Sequence, residues 1–166
     1  MVLEVLALAN QYGLVELLTS ISEYLQAVLS IRNVCLIYDI ARLYQLSSLA
    51  ELCCDYIDRH ASHIITTDSF LTLSASTLES ILQRDSFCVP EVDIFRVAAE
   101  WVKRNGPGSE NVLRRCVRLP LISLTDLLNV VRPSGLISSD SILDAIKARN
   151  EVRDTDLQYR GYLCEL

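Results

Sequence analysis

The chain has 166 residues, of which 51% are hydrophobic and only five are glycine, so it is long enough and apolar enough to form one packed globular domain. Its net charge of −6 at pH 7, with no run rich in lysine or arginine, excludes the basic surface typical of a protein that binds nucleic acid. Charges interrupt each apolar stretch before the roughly 18 residues that a membrane-spanning helix needs, so no membrane segment is predicted.

The six cysteines indicate a reducing compartment. A domain of this size is stable without disulfides, and Cys35, Cys53 and Cys116 fall among apolar neighbours, where a thiol acts as a small hydrophobe. Residues 1–9 imitate a signal peptide, but they lack a basic start and contain Glu4, so we interpret them as part of an amphipathic helix. A cytoplasmic location is therefore expected, with the nucleus as the alternative.

The spacing of apolar residues predicts helices almost throughout, because the i, i+3, i+4 pattern recurs while alternation of period two is scarce. The predicted helices cover 2–12, 15–29, 33–45, 47–62, 74–84, 90–104, 109–117, 123–131 and 139–149. Asn33, Ser74 and Ser138 are suited to N-cap positions. The predicted fold class is all-α, built from stacked antiparallel helical hairpins.

The N-terminal third contains a weak internal repeat with an offset of 32 residues, which predicts one helical hairpin used twice. The matching positions are Ala9, Tyr12, Leu14, Leu17 and Tyr24 in the first copy and Ala41, Tyr44, Leu46, Leu49 and Tyr56 in the second. Within the first helix of each copy, one stripe is apolar in both and is predicted to form the hairpin core. It consists of Val5, Ala9 and Tyr12 in the first copy and of Ile37, Ala41 and Tyr44 in the second.

A second stripe differs between the two copies. It consists of Glu4, Leu8 and Gln11 in the first and of Leu36, Ile40 and Leu43 in the second. A helix that is apolar nearly all round is either buried on several sides or offers a surface to a partner. Both interpretations of the second copy stay open from the sequence: packing within the chain's own core, or a groove for another protein.

Two neighbouring segments carry the most specific pattern. The helix predicted over 90–104 begins at Pro90, has Glu91 and Asp93 where the helix dipole favours anions, and ends before Gly106. Its apolar stripe, which should face inward, consists of Ile94, Phe95, Ala98, Trp101 and Val102. The segment that follows, 117–128, breaks at Pro120 and restarts as a short apolar helix.

The enzyme alternative depends on a single cluster, Cys53, Cys54, His60 and His63, on the helix predicted over 47–62 and the residue after it. Cys53 and His60 are two helical turns apart, about 10 Å along the axis, which is too far for one metal ion or for proton transfer. No glycine-rich phosphate-binding run occurs. We therefore expect no enzyme activity, cofactor, metal or small-molecule substrate.

Segments 90–104 and 117–128 together resemble the BACK domain, the helical region that follows a BTB/POZ domain in adaptors of cullin-RING ubiquitin ligases. The resemblance extends over about residues 3–148. Its specific runs are 84–87 leading to 93–95, and 127–136 continuing through 142–147. Residues 12–29 are similar to the last helical hairpin of a BTB domain, and residues 33–58 to the following hairpin pair, the 3-box.

The resemblance implies a division of the chain into three parts. Residues 1–30 would be the C-terminal helices of a BTB-like domain, 31–149 the 3-box and BACK helical domain, and 150–166 a linker or tail. The BTB sheet, through which such proteins self-associate, would lie before Met1, and a substrate-binding domain would follow Leu166. Without that sheet the first two helices would expose apolar surface and promote self-association, with Val2, Leu3, Leu6 and Leu18 as the expected exposed residues.

The function implied by the resemblance is that of a non-catalytic scaffold segment in a ubiquitin-ligase substrate adaptor. It would link a BTB domain to a substrate-binding domain, and in the family the groove beside the 3-box receives an N-terminal extension of the cullin scaffold protein. The residues that we expect to bind this partner are Ile31, Leu36 and Leu43. The alternative, supported by periodicity alone, is a generic helical protein-interaction domain unrelated to ubiquitin ligation.

Overall fold

In the computed structural model, which describes residues 2–106, 108–151, 157 and 159–161, the predicted all-α fold is confirmed and no strand occurs in those ranges. The first five helices, α1 to α5, are Val2–Gln11, Val15–Ala27, Val34–Leu43, Ser47–Arg59 and Ala61–Ile64. The next five, α6 to α10, are Ala75–Leu82, Glu91–Asn105, Asn111–Cys116, Leu124–Asp126 and Ser139–Glu151. Three 3-10 turns, Phe70–Thr72, Leu119–Leu121 and Arg132–Ser134, and one π-helical segment, Leu127–Val131, complete the helical structure of these ranges.

The chain divides into two compact units, residues 1–77 (unit 1) and residues 78–166 (unit 2). The predicted boundaries at residues 30 and 149 concern homology to BTB and BACK regions rather than compactness, so they stay predictions. Of the predicted tail 150–166, residues 152–156, 158 and 162–166 lie outside the described residues.

Unit 1 contains the two hairpins that the internal repeat predicts: α1 packs against α2, α3 packs against α4, and α2 also contacts α4. The turns that join the paired helices are nearly identical. Gly13 and Gln45, 32 positions apart, both adopt left-handed backbone angles, with φ of 64° and 56°. The next residue bonds back to the preceding helix in each copy, from Leu14 N to Ala9 O at 2.9 Å and from Leu46 N to Ala41 O at 2.8 Å. The repeat is therefore a repeat of backbone geometry.

The predicted hairpin core is partly wrong. Ala9, Ile37 and Ala41 are buried, but Val5 and Tyr12 are 38% and 69% exposed. The partner of Ala9 in the buried face of α1 is Leu6, three residues earlier, and not Val5 or Tyr12. The stripe assigned from the sequence was displaced by one position around the helix, because apolar residues occur on two adjacent faces of α1.

The prediction that α1 and α2 expose apolar surface is confirmed, but the residues named for it are not. Leu6 is wholly buried, Val2 and Leu18 are half-buried, and the side chain of Leu3 lies outside the described residues. The exposed large apolar residues of this hairpin are Val5, Leu8, Tyr12, Leu14, Val15, Leu17, Tyr24 and Val28.

In unit 2, α7 follows the sequence closely. Its predicted inward stripe is buried along its whole length, with Trp101 only 3% exposed. The helix ends where Gly106 takes a φ of 82°, and Asn105 Nδ2 donates to the carbonyl of Trp101 at 2.9 Å. At α10, the predicted cap Ser138 accepts from the amide of Ser141 at 3.2 Å.

The predicted caps of unit 1 have different outcomes. Ser74 Oγ accepts from the amide of Thr77 at 3.4 Å, as a cap residue would. Asn33 does not cap α3, because its Oδ1 accepts from the amide of Ser30 at 2.7 Å and so closes the turn before the helix.

Among the helices within the described ranges, none is both long enough and apolar enough to cross a membrane.

Candidate protein-binding groove

A groove of about 330 Å³ lies in unit 1 between α3 and the first turn of α6. Its lining residues come from these two elements and the residue before α6: Asp39, Ile40, Arg42, Leu43, Ser74, Ser76 and Thr77. The lining combines apolar and hydrogen-bonding groups, which is a combination suited to a peptide or a protein loop.

Hydrogen bonds from α3 to the residues around the start of α6 fix the polar side of the groove. Asp39 Oδ1 accepts from Ser74 Oγ at 2.7 Å and from Thr77 Oγ1 at 2.5 Å. Arg42 Nη1 donates to the carbonyl of Ser76 at 2.8 Å. These bonds hold the two walls in one arrangement before any partner arrives, so less conformational entropy is lost on binding.

The apolar side of the groove belongs to the stripe that is specific to the second hairpin copy. Leu43 is 70% exposed, Leu36 is 52% exposed and Ile40 is half-buried. The interpretation that this stripe packs into the chain's own core is therefore wrong for Leu36 and Leu43. Exposed leucines in a row along a helix favour an interaction surface, because each gains free energy when a partner removes it from water.

The structure places the three predicted binding residues unequally. Leu43 lines the groove, Leu36 lies on the same exposed stripe nearer the start of α3, and Ile31 is half-buried in the turn before the helix. Whether a partner contacts them stays a prediction. The residues that sequence reasoning missed are Ser74 and Thr77, whose hydroxyls face Asp39 across the groove. The one feature of the sequence that could have pointed to them is Asp39, the only acidic residue of α3, which needs hydrogen-bond donors from another element.

In the sequence cluster, Cys53, Cys54 and His60 contribute to packing, and His63 is exposed. Cys53 and Cys54 are buried, and burial raises the pKa of Cys53 to about 12, so its thiol is protonated at neutral pH. His60 stacks on Tyr56 with ring centroids 4.3 Å apart. Within the part of the chain that the structure describes, no three His, Cys, Asp or Glu side chains are grouped to hold a metal ion.

Comparison with known proteins gives a family and a set of relatives. The sequence profile of the family described as BACK: BTB And C-terminal Kelch matches residues 34–132. BTB/POZ domain-containing protein 9 of Homo sapiens is 52% identical over 97% of this chain, and its Drosophila melanogaster counterpart is 45% identical over the same share. BTB/POZ domain-containing protein 3 of Homo sapiens is 25% identical over 95% of the chain.

These matches bear on two predictions. The resemblance to the BACK domain is confirmed, and so is the more specific likeness to BTB/POZ domain-containing protein 9, which the runs at 127–136 and 142–147 predict. The chain spans about a quarter of the length of the relatives it matches, 26% of the human protein 9 and 22% of the fly protein. Relatives of that length contain much more than the segment that they share with this chain.

Proposed function

The chain belongs to the BACK family of BTB-containing proteins, and from this premise we propose that it is a non-catalytic scaffold segment of a cullin-RING ubiquitin-ligase substrate adaptor. In this role it links a BTB domain, through which the protein self-associates, to a substrate-binding domain. It acts in the cytoplasm or the nucleus, which agrees with the unpaired state of the five cysteines within the described ranges.

The observation that supports this function best is the exposed apolar stripe of α3 beside a groove whose polar side is already fixed. An extended N-terminal segment of a cullin would place apolar side chains against Leu43 and Ile40. Its backbone and polar groups would face Asp39 and Arg42 across the same groove. Covering one leucine contributes about 1.5–3 kcal/mol, which corresponds to about ten- to a hundredfold in affinity.

The test is to make Leu43→Asp and Leu36→Asp in the intact BTB-containing protein and to measure binding of a recombinant cullin N-terminal region by isothermal titration calorimetry. Each change should weaken binding by about ten- to a hundredfold, since it replaces an apolar contact by a charge that must be desolvated. Helical circular dichroism should be unchanged, because both side chains are exposed in the free protein.

A matched control is Leu143→Asp, which introduces the same change on α10, where Leu143 is 62% exposed. It should leave cullin affinity unchanged. Equal affinities for all variants and the wild type would locate the cullin groove elsewhere. If the wild-type protein does not bind a cullin at all, the alternative of a generic helical interaction domain replaces the proposed function.

A further inference from the structure

Helix α7 of unit 2 begins with a buried carboxylate. The Glu91 side chain is only 3% exposed, and its two oxygens accept three hydrogen bonds. Arg160 donates to it from Nε at 2.7 Å and from Nη2 at 3.1 Å, and the backbone amide of Arg118 donates at 2.7 Å. The pair is a two-pronged guanidinium–carboxylate contact of the kind that only arginine can make.

The remaining donors of Arg160 reach the ends of two other helices. Its Nη1 donates to the carbonyls of Leu82 and Arg84, the latter at 3.1 Å, and its Nη2 donates to the carbonyl of Cys116 at 2.8 Å. Leu82 and Cys116 are the last residues of α6 and α8, where carbonyls lack partners inside the helix and carry partial negative charge. One cation therefore pairs with the Glu91 carboxylate and with the partial negative charges at the C-terminal ends of two helices.

The backbone of the residues beside Arg160 also bonds to earlier parts of unit 2. Gly161 donates its amide to the carbonyl of Asp85 at 2.7 Å, and Arg118 Nη1 donates to the carbonyl of Tyr159 at 3.5 Å. Gly161 has a φ of 96°, and a Cβ at this position would lie 2.7 Å from Cys88 Sγ. Glycine is therefore required for so close an approach.

We propose that residues 159–161 form a latch, in which Arg160 occupies a guanidinium-binding socket built by Glu91 and the carbonyls of Leu82, Arg84 and Cys116. The polar sequence after residue 150 suggests a linker, yet at Arg160 it carries a cation whose side chain is only 3% exposed. The socket recognises a planar alkylguanidinium, because its acceptors match the fork of N–H groups that an ammonium lacks. The latch holds residues 159–161 against the start of α7.

If residues 159–161 form a latch, removing the Arg160 side chain should free these residues without unfolding the rest of unit 2. In Arg160→Ala, the amide of Gly161 should lose hydrogen-exchange protection by about tenfold or more, because its bond to Asp85 is no longer held in place. Amides in the middle of α7, around Ala98 and Trp101, should keep their protection within about threefold, because an apolar core holds that part of the helix.

The socket is tested separately by adding a free ligand that replaces the missing side chain. Methylguanidinium should raise the thermal midpoint of Arg160→Ala, since a ligand that binds only the folded state stabilises it. Methylammonium at the same concentration and ionic strength is the control, and wild-type protein, with its socket filled, gives the general effect of each salt on the thermal midpoint, which is subtracted.

Two results would overturn the proposal. In the first, Gly161 and the α7 amides lose protection in the same proportion, which would make Arg160 a general stabilising residue and not a latch. In the second, methylguanidinium raises the midpoint no more than methylammonium does, which would mean that no selective socket exists. If Arg160→Ala does not fold, Arg160→Lys keeps the charge without the fork, and the comparison of hydrogen-exchange protection at Gly161 and α7 is made on that variant.

Discussion

The two hairpins of unit 1 have the same turn and different surroundings. Gly13 and Gln45 give both copies a left-handed residue at the same place, and the same backbone hydrogen bonds follow. Yet α3 buries Val34, Cys35, Ile37, Tyr38 and Ala41, whereas only Leu6 and Ala9 of the described α1 side chains are buried. The path of the backbone is thus fixed locally, while the free energy that each copy contributes depends on what covers it.

This comparison predicts that equivalent truncations will have unequal costs. Ile37→Ala in the second copy should lower the free energy of unfolding by about 2–5 kcal/mol, because a buried methyl-rich side chain leaves a cavity. Val5→Ala at the matching position should cost less than about 1 kcal/mol, since Val5 is already 38% exposed. Urea unfolding of both variants measures the difference, and equal costs would contradict the unequal burial of the two hairpins.

A second contrast concerns thiols, which occur in the second hairpin and not in the first. Burial raises the pKa of Cys35 to about 11 and that of Cys53 to about 12, from an ordinary value near 9. Above pH 9 the unfolded chain releases protons that the folded chain retains, so stability falls as the pH rises towards 11 and 12. Each thiol contributes a slope of about 1.4 kcal/mol per pH unit in this window.

Unfolding curves measured between pH 9 and pH 11 test this expectation. Cys53→Ala should flatten the decline by about the slope of one thiol, apart from any constant offset due to the smaller side chain. Cys88→Ala is the control, because Cys88 is exposed. A decline that is equally steep in wild type and in Cys53→Ala would show that the thiol titrates alike in the folded and unfolded states.

The shared turn can be tested from the glycine side. Gly13→Ala should destabilise the protein by about 1 kcal/mol, because a Cβ is disfavoured in the left-handed conformation. Apart from its two neighbours in the chain, no heavy atom lies within 4 Å of the position that the Cβ would take, so the cost comes from the backbone conformation alone. Thermal unfolding measures it. An unchanged midpoint would mean that the turn relaxes to another conformation.

The reciprocal change tests the second copy and should give the smallest effect, a gain. Gln45→Gly should stabilise the protein by about 0.5 kcal/mol, since relief of the left-handed strain slightly exceeds the entropy that glycine adds to the unfolded chain. Gln45→Ala is the matched control and should give no gain, because alanine retains the Cβ. A loss of stability in Gln45→Gly would indicate that the glutamine side chain contributes more than its backbone strain costs.

Much of the fold could be predicted from the sequence because the information is local. Apolar spacing located the long helices, and the stripe of α7 was assigned to the correct face. In α1 the same reasoning selected Val5 and Tyr12, since apolar residues cover two adjacent faces and only tertiary packing decides between them. Periodicity gives the direction of a helix face reliably when the opposite face is polar, as in α7.

The parts of the candidate site that escaped prediction depend on contacts between distant residues. Asp39 meets Ser74 and Thr77 across 35 and 38 residues of sequence. Glu91 had a sufficient local explanation as an acid in the first turn of a helix, which gave no hint of its partner 69 residues away. By contrast, the exposed stripe with Leu36 and Leu43 could be suspected from the repeat, because a difference between two copies is visible in the sequence.

The π-helical segment Leu127–Val131 has a consequence for comparing sequences of different length. A π-turn accommodates one residue more than an α-turn, and Leu127 and Val131, the two ends of this segment, are both buried. Loss of one residue between them would restore an α-turn at low cost, so this is a tolerable position for a gap in an alignment. The same deletion in the middle of α7 would rotate Trp101 about 100° around the helix axis, away from the core.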